Sequence, residues 1–388
     1  MESQGRGGAG GPIRIAMIGH KRVPSREGGV EIVVEELAAR MVAQGHSVTC
    51  FNRSGHHVSG KEFDAEKMAE YKGIRLKYVP TIDAKGLAAV SSSFFASLQA
   101  AFGRYDVVHY HAEGPCAMLW IPKLAGKRVV ATIHGLDHQR SDKWGRFARA
   151  YIMMGEKMAA RWADEVIVLS ESARQYFLDV YGRKTVRIPN GVGRPKIQDG
   201  ALIGQNYGLK KDGYILFLSR IVPEKGAVYL IEAFKGISTR KKLVIAGGAS
   251  DSQDYMNHLR QMAQGDPRIV FTGFVQGQML EELYSNAYLY VLPSDLEGMP
   301  LTLLEAMSYG NCCLVSDIPE CKAVVQDKGV LFRKGDAADL RKKLEMLLED
   351  EGMVKGYKRG AADFILGQYS WDDVVQRTLK LYQGTRRG

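Results

Sequence analysis

Short apolar runs alternate with longer stretches in which apolar residues recur at helical spacing. The run 13–19 is almost continuously apolar, as in a strand buried on both faces of a parallel sheet. The stretch 30–44 then has helical periodicity and stops at Gly45. Because this alternation recurs through the chain, the pattern predicts an α/β fold of doubly wound parallel sheets.

The predicted strands fall into two series separated by a segment rich in Gly, Pro and Lys. The first series comprises residues 13–19, 47–51, 74–79, 106–110, 128–133, 165–169 and 186–188, and the second comprises 214–218, 243–246, 269–272, 289–292, 312–315 and 330–332. We predict a disordered glycine-rich tail (1–12), a first Rossmann-like domain (13–190), a linker (191–212), a second Rossmann-like domain (213–368) and a terminal helix (369–388) capped by Ser370. A ligand is expected between the domains, at the carboxyl ends of the strands.

The segment 294–307 holds two carboxylates, Glu297 and Glu305, separated by a glycine, a proline and an apolar run. It predicts strand, loop and helix, with Pro300 at the first helical position. The start of such a helix favours an anion. Glu305 is the only charged residue in 299–309, so its burial requires a hydrogen-bond partner. A sugar or ribose hydroxyl would serve, and so would a structural Arg or Lys.

Two further loops follow predicted strands and suit a phosphorylated ligand. Gly28 and Gly29 precede a helix, where backbone can approach a phosphate closely, although an ordinary turn has the same composition. Arg220 and Lys225 are five residues apart and could both reach one diphosphate. Solvated surface cations are the alternative interpretation of that pair.

Three histidines lie on or beside predicted strands. His134 ends one strand, a position that is structural in most proteins and catalytic in some. His109 and His111 alternate on another strand and suggest a metal pair, but no convincing third ligand follows, so we interpret them as structural or acceptor-side. No Asp-x-Asp sequence occurs, and we predict neither a metal nor a cofactor.

The net charge of +10 is compatible with an anionic membrane surface or a phosphorylated substrate. Nucleic acid is disfavoured because there is no zinc-finger spacing and no run of basic residues. Residues 143–162 form a basic, aromatic stretch whose only acid is Glu156. This stretch predicts either a helix lying on an anionic membrane or a helix with a solvated basic face.

Five cysteines without C-x-x-C spacing indicate a reduced protein. No apolar run reaches the ~20 residues that span a bilayer. No signal peptide opens the sequence. We therefore expect a cytoplasmic protein, with peripheral attachment to the inner face of the membrane as an open alternative.

The segment 294–307 resembles the Glu-x7-Glu signature of retaining glycosyltransferases of the GT-B fold, specifically family 4, and the resemblance extends over 13–382. It implies two Rossmann-like domains facing across a cleft. It also implies that Glu297 contacts the transferred sugar, that Glu305 binds the nucleotide ribose, and that backbone at Gly298, Met299 and Leu301 lines the sugar and phosphate. Pro300 lacks the amide hydrogen for such a contact.

Other segments resemble family loops in the same way. The run 220–226 resembles the one that assigns Arg220 and Lys225 to the leaving phosphate, and Gly28 and Gly29 resemble the loop against the donor diphosphate. His134 matches a histidine near the donor sugar and the reaction centre. The loop containing Val275 resembles the one whose backbone recognises the base, and Gly247 matches a position that lets the nucleotide approach.

These features predict a metal-independent, retaining glycosyltransferase that moves a sugar from a nucleotide-diphosphate sugar to a saccharide or lipid-linked acceptor in the synthesis of cell-surface polysaccharide or glycoconjugate. Residues 17–31 resemble a subgroup that includes rhamnosyltransferases. Two alternatives share the fold: a sugar-nucleotide epimerase, which needs no acceptor, and a non-catalytic sugar-nucleotide-binding protein. An NAD oxidoreductase is disfavoured because Gly19 does not begin a G-x-G-x-x-G run.

Overall fold

A computed structural model describes residues 11–55, 66–82, 86–136, 145–249 and 253–384. The strands are β1 (Arg14–Ile18), β2 (Ser47–Arg53), β3 (Glu70–Tyr71), β4 (Ile74–Val79), β5 (Val107–His111), β6 (Arg128–Ile133), β7 (Glu165–Val168), β8 (Val186–Arg187), β9 (Tyr214–Leu218), β10 (Lys242–Ala246), β11 (Ile269–Gly273), β12 (Leu289–Leu292), β13 (Cys312–Ser316) and β14 (Val330–Phe332). The helices are α1 (Gly29–Ala43), α2 (Leu87–Phe102), α3 (Trp120–Leu124), α4 (Arg146–Trp162), α5 (Glu171–Tyr181), α6 (Ala201–Tyr207), α7 (Ala227–Lys235), α8 (Gln253–Ala263), α9 (Gly277–Ser285), α10 (Leu301–Ser308), α11 (Pro319–Val325), α12 (Ala337–Glu349), α13 (Glu351–Lys358), α14 (Ala361–Gln368) and α15 (Trp371–Gln383).

The strands form two sheets, which confirms the predicted α/β class with doubly wound parallel sheets. The first sheet has the order β3-β4-β2-β1-β5-β6-β7-β8, and the second has the order β11-β10-β9-β12-β13-β14. All pairings are parallel except that of β3 with β4. The strand order reverses between β1 and β5 in one sheet and between β9 and β12 in the other, so both switch points mark places for a ligand.

Each central strand is buried on both faces because its residues alternate between two layers of helices. On β5, Val107 belongs to the core under α1 and α15, whereas Val108 and Tyr110 belong to the core on the opposite face. The second sheet is divided in the same way, with Ile215 on one face and Leu216 on the other. The near-continuous apolar runs of the sequence follow directly from this double coverage.

The terminal helix α15 packs on the first domain. Trp371, Val375 and Tyr382 are buried in the same core as residues of β1 and α1. Ser370 caps the helix by accepting a hydrogen bond from the Asp372 amide, as predicted. Next to this cap, the Val192 amide donates to the Tyr369 carbonyl, so the two chain segments that connect the domains run side by side.

Three features differ from the expectations. Residues 201–207 of the predicted linker form the helix α6, which packs against α9 of the second sheet's domain. The two-residue edge strand β3 is too short to produce a periodic signal. Pro300 is the N-cap of α10, not its first helical residue, with ψ of 91°. Glu305 still lies in the second turn.

Candidate active site

A cavity of about 350 Å³ lies between the two domains, at the carboxyl ends of their strands. Its walls include the loop after β1, the end of β5, and the loops after β9 and β12. The structure brings all of the predicted site residues to this cavity: Gly28, Gly29, His134, Arg220, Lys225, Gly247, Val275, Glu297, Gly298, Met299, Leu301 and Glu305. The strand order reverses at the two switch points, so loops that are distant in sequence leave neighbouring strands at the same edge of each sheet. This explains why residues so distant in sequence line one cavity.

Glu297 is held by two donors. Lys225 Nζ lies 2.6 Å from Glu297 Oε1, and both side chains are almost fully buried. Ser294 donates its hydroxyl hydrogen to the same carboxylate oxygen over 2.7 Å. A buried carboxylate with these partners is fixed in orientation, and much of the Lys225 charge is already neutralised.

Arg220 differs from Lys225 because no described residue forms an ion pair or a side-chain hydrogen bond with it. It follows β9 and faces the cavity beside Ser219. Its guanidinium therefore offers donors in a fork geometry to an anionic group of a ligand.

Glu305 contacts both domains. Its Oε1 accepts a hydrogen bond from Arg26 Nη1 of the first domain over 3.2 Å, and its Oε2 accepts one from the Tyr284 hydroxyl over 3.1 Å. Burial raises the pKa of the Glu305 carboxyl, and the Arg26 charge opposes that rise. Of the partners that the sequence left open, the structure shows an arginine.

The glycine after Glu297 brings the domains together. A Cβ at Gly298 would lie 1.8 Å from the carbonyl oxygen of His134, which belongs to the first domain. Gly29 makes a second approach, since a Cβ there would lie 3.2 Å from Leu301 Cδ1. Only a glycine permits the closest of these contacts between the two walls.

Backbone of the second domain also lines the cavity, at Gly247. Gly247 has φ of +144°, and a Cβ there would lie 1.8 Å from the Ser219 carbonyl oxygen. The position therefore requires glycine, and it leaves the strand ends of β9 and β10 open to the cavity. Val275 faces the same space from the loop after β11.

Two family models match the chain. "Glycosyltransferase Family 4" matches residues 27–193, and "Glycosyl transferases group 1" matches residues 203–363. Together they cover most of the chain and both of its domains. The chain belongs to glycosyltransferase family 4. It is thus a glycosyltransferase, which moves a sugar from an activated donor to an acceptor, and this assignment favours transfer over the epimerase and the binding protein.

Relatives of this glycosyltransferase are similar along almost their whole length. An uncharacterised glycosyltransferase of Methanocaldococcus jannaschii is 24% identical over 96% of this chain and 98% of its own. The phosphatidyl-myo-inositol mannosyltransferase of Mycobacterium leprae is 26% identical over 92% of this chain and 93% of its own. Anabaena HepE, solved in complex with UDP-glucose, has a TM-score of 0.79 at 18% identity, covering 95% of this chain and 98% of that one. The similarity of the two structures shows that this chain and HepE share a fold.

Three histidines of the glycosyltransferase, His109, His111 and His134, lie close together in its first domain. His111 Nδ1 is 3.1 Å from His134 Nε2, and the rings of His109 and His111 are in contact, with centroids 4.1 Å apart and planes tilted by 35°. Burial lowers the pKa of His109 to about 3 and that of His20 to about 4, and it holds the pKa of His111 well below its usual value. Among the described residues, no group of three or more His, Cys, Asp and Glu side chains is arranged to hold a metal ion.

Sequence reasoning missed three residues that hold the glycosyltransferase's carboxylates: Arg26, Tyr284 and Ser294. Ser294 lies three residues before Glu297, so its proximity was available from the sequence. Nothing local identified Arg26 or Tyr284, because neither is near Glu305 in sequence. Residues 1–10 of the predicted tail, and Lys143 and Trp144 of the basic stretch, lie outside the described residues.

Proposed function

We propose that this glycosyltransferase transfers a hexosyl or rhamnosyl group from a nucleotide-diphosphate sugar, with retention of anomeric configuration and without a metal ion, in the synthesis of cell-surface polysaccharide or glycoconjugate. The observation that carries the proposal is the cavity between the domains, which is lined both by an arginine without an ion-pair partner in the described chain and by a fixed carboxylate. The arginine is thus available to bind a diphosphate, and the carboxylate is available to bind a sugar.

Each group has a role in the proposed reaction. The bond from the anomeric carbon to the diphosphate breaks, and its electron pair passes to the leaving diphosphate, where Arg220 and Lys225 stabilise the charge. The acceptor oxygen bonds to the same carbon on the same face, and its proton passes to a donor phosphate oxygen. Glu297 orients the sugar. Its oxygen Oε1 already accepts two hydrogen bonds, which favours this role over that of a nucleophile.

Glu305 receives the ribose in this scheme. The ribose hydroxyls take the place of Arg26, whose side chain is 44% exposed and free to leave. Tyr284 keeps its hydrogen bond and continues to orient the carboxylate. The phosphates then lie against Gly28 and Gly29, next to the displaced Arg26 in sequence, and the base lies against backbone near Val275 and Gly247.

The donor part of the proposal predicts a specific thermal shift. One class among UDP-, GDP-, dTDP- and ADP-sugars should raise the melting temperature of the chain, whereas Glu305→Ala should abolish that shift. At a hundredfold excess over the dissociation constant, binding adds about 2.7 kcal/mol of stability. Differential scanning fluorimetry measures both proteins in parallel.

Glu345→Ala is the matched control, since it removes an exposed carboxylate that pairs with Arg341 on α12 of the same domain. It should keep the full shift. A shift that persists in Glu305→Ala would remove Glu305 from the donor site, and the absence of any shift in the native chain would refute the nucleotide-sugar proposal.

The reaction course predicts an α product from an α-linked donor, and activity that EDTA leaves within twofold. The residues support metal independence because Arg220 and Lys225 supply the positive charge that a metal would otherwise bring, and the sequence has no Asp-x-Asp. The anomeric proton coupling of the isolated product reports its configuration. A β product from an α donor would contradict retention, and loss of activity in EDTA that Mg²⁺ restores would contradict metal independence.

We also propose that the first domain binds an anionic membrane surface. The helix α4 exposes Phe147, Met153 and Met154, and α3, which contacts both α2 and α4, exposes Trp120 and Leu124. Basic residues stand on α4 among these apolar ones, and its single acid, Glu156, is fully buried. Among the described helices, none combines the length and apolar character needed to cross a bilayer. The mycobacterial relative is named for a phospholipid, phosphatidyl-myo-inositol, which also supports a lipid-linked acceptor.

Vesicle cosedimentation tests this surface. The chain should bind vesicles that contain phosphatidylglycerol and should not bind pure phosphatidylcholine. Arg149→Gln and Lys157→Gln should each lower the partition constant about fivefold, or ~1 kcal/mol. Ile197→Glu is the control, because it lowers the net charge by one, as each of the other substitutions does, at an exposed residue of the linker. Equal binding of the native chain to both lipids would exclude an electrostatic membrane site on α4. So would native partition constants in both Arg149→Gln and Lys157→Gln.

A further inference from the structure

Four polar side chains share one face of the first sheet. His109 and His111 are two residues apart on β5, and Thr132 and His134 are two residues apart at the end of β6. The strands pair with His111 opposite Thr132, so strand alternation places all four on the face that α1 and α15 cover. The sequence spacing and the register therefore build a polar row inside an apolar layer.

Direct contacts connect this row from the terminal helix to the cavity. His109 Nδ1 is 2.6 Å from the Tyr382 hydroxyl of α15, and His109 Nε2 is 2.7 Å from Thr132 Oγ1. The His109 ring contacts the His111 ring at a tilt of 35°, with centroids 4.1 Å apart, and His111 Nδ1 is hydrogen-bonded to His134 Nε2. His134 lines the cavity, so the row joins a helix near the end of the chain to the ligand space.

The side chain of His111 lowers the stability of this core. It is fully buried, and its Nε2 has no hydrogen-bond partner among the described residues. Burying an unsatisfied nitrogen costs stability, and an apolar residue of similar size would avoid that cost. Within the described ranges, its one side-chain hydrogen bond is the one to His134. The contribution of His111 is therefore to His134 and not to the packing of the sheet.

His134 is held from two sides. Its carbonyl oxygen contacts Gly298 of the second domain, and its ring nitrogen Nε2 points back to His111. Rotation of the ring would break the hydrogen bond to His111. Burial keeps the rings of His109 and His111 neutral, because it lowers the pKa of both, so each can donate from one nitrogen and accept at the other.

We propose that His111 is a positioning residue for His134, and that Tyr382 and His109 fix His111, so that the C-terminal helix sets the orientation of the His134 ring at the reaction centre. This inference rests on the proposed function, which places His134 beside the donor sugar. The C-terminal helix then has a catalytic consequence in addition to its packing role, although none of its side chains reaches the cavity.

Three variants and one matched control test the row in the full-length chain. Tyr382→Phe keeps the buried ring and removes the hydroxyl that contacts His109, and His111→Leu removes the hydrogen bond to His134. Thr378→Val is the control, since Thr378 is one turn earlier on α15 and its buried hydroxyl donates to the Val374 carbonyl and to no other group of the described chain. His111→Gln restores a hydrogen-bonding side chain at the same position.

We expect Tyr382→Phe and His111→Leu to lower kcat about tenfold with the KM of the donor within twofold, as misplacement of a reacting-centre group does. Thr378→Val should match the native chain, and His111→Gln should recover part of the loss. In nitrogen-15 spectra of the nine histidines, the His134 ring signals, assigned with His134→Ala, should shift in Tyr382→Phe and stay unchanged in Thr378→Val.

The outcomes separate the two proposals. If His134→Ala loses activity while Tyr382→Phe keeps native kcat and native His134 signals, the positioning role is wrong and the role of His134 stands. If His134→Ala keeps native activity, the placement of His134 at the reaction centre is wrong, and the positioning role is lost with it. Tyr382→Phe changes one buried oxygen, so it decides the question even if His111→Leu does not fold.

Discussion

Replacing Arg220 with alanine is expected to lower kcat about 100-fold, the size of effect seen when one group that stabilises developing charge is removed. The reason lies in the charge distribution of the cavity. Lys225 is paired with Glu297 over 2.6 Å, whereas Arg220 has no ion-pair partner within the described chain. Arg220 can therefore direct its full charge and two N–H groups at the leaving diphosphate.

Steady-state kinetics with saturating donor and acceptor measure this effect. Arg220→Lys should recover part of the rate, because it restores the charge without the fork. Arg260→Ala is the control, since Arg260 is exposed on α8 and does not line the cavity. If Arg220→Ala turned over as fast as Arg260→Ala, charge stabilisation by Arg220 would be refuted.

The second large effect is expected from Gly298→Ala. Its Cβ would lie 1.8 Å from the His134 carbonyl oxygen, whereas ordinary contact begins at 3.4 Å, so the domain walls must separate by roughly 1.5 Å. A misplacement of about 1 Å can cost 100-fold in rate, and we expect a loss of that size in kcat. Gly298 does not have a positive φ, so the cause is steric and not backbone strain.

The loss should be confined to catalysis. Because the contact joins two domains that each have their own core, Gly298→Ala should unfold at the same urea concentration as the native chain and should still bind the nucleotide. Gly356→Ala is the matched control: nothing lies within 4 Å of its Cβ, and in the helix α13 it should add about 0.5–1 kcal/mol of stability. Native kcat in Gly298→Ala would show that the walls are apart when the reaction occurs.

Within the elements, the agreement between pattern and structure has a local cause. A strand buried on both faces must be apolar along its length, so 128–133, 214–218 and 289–292 have the predicted bounds. The bounds of 74–79, where buried and exposed residues alternate, and of 330–332 were also predicted correctly. The edge strand β3 and the helix α6 escaped prediction because a two-residue strand has no period and a short helix in a Gly- and Pro-rich segment has little. The roles assigned to the site residues stay predictions, although the structure gathers those residues in one cavity.

The sequence by itself determined the two-sheet architecture, the positions of the loops after β1, β9 and β12, and the charged residues those loops bring, because each of these depends on neighbours within a few positions of the chain. Only the tertiary structure decided how those charges are used. Arg26 contacts Glu305 across 279 positions, and Tyr382 contacts His109 across 273. Such pairs form where two folded layers meet, and no local periodicity encodes which side chains will face each other there.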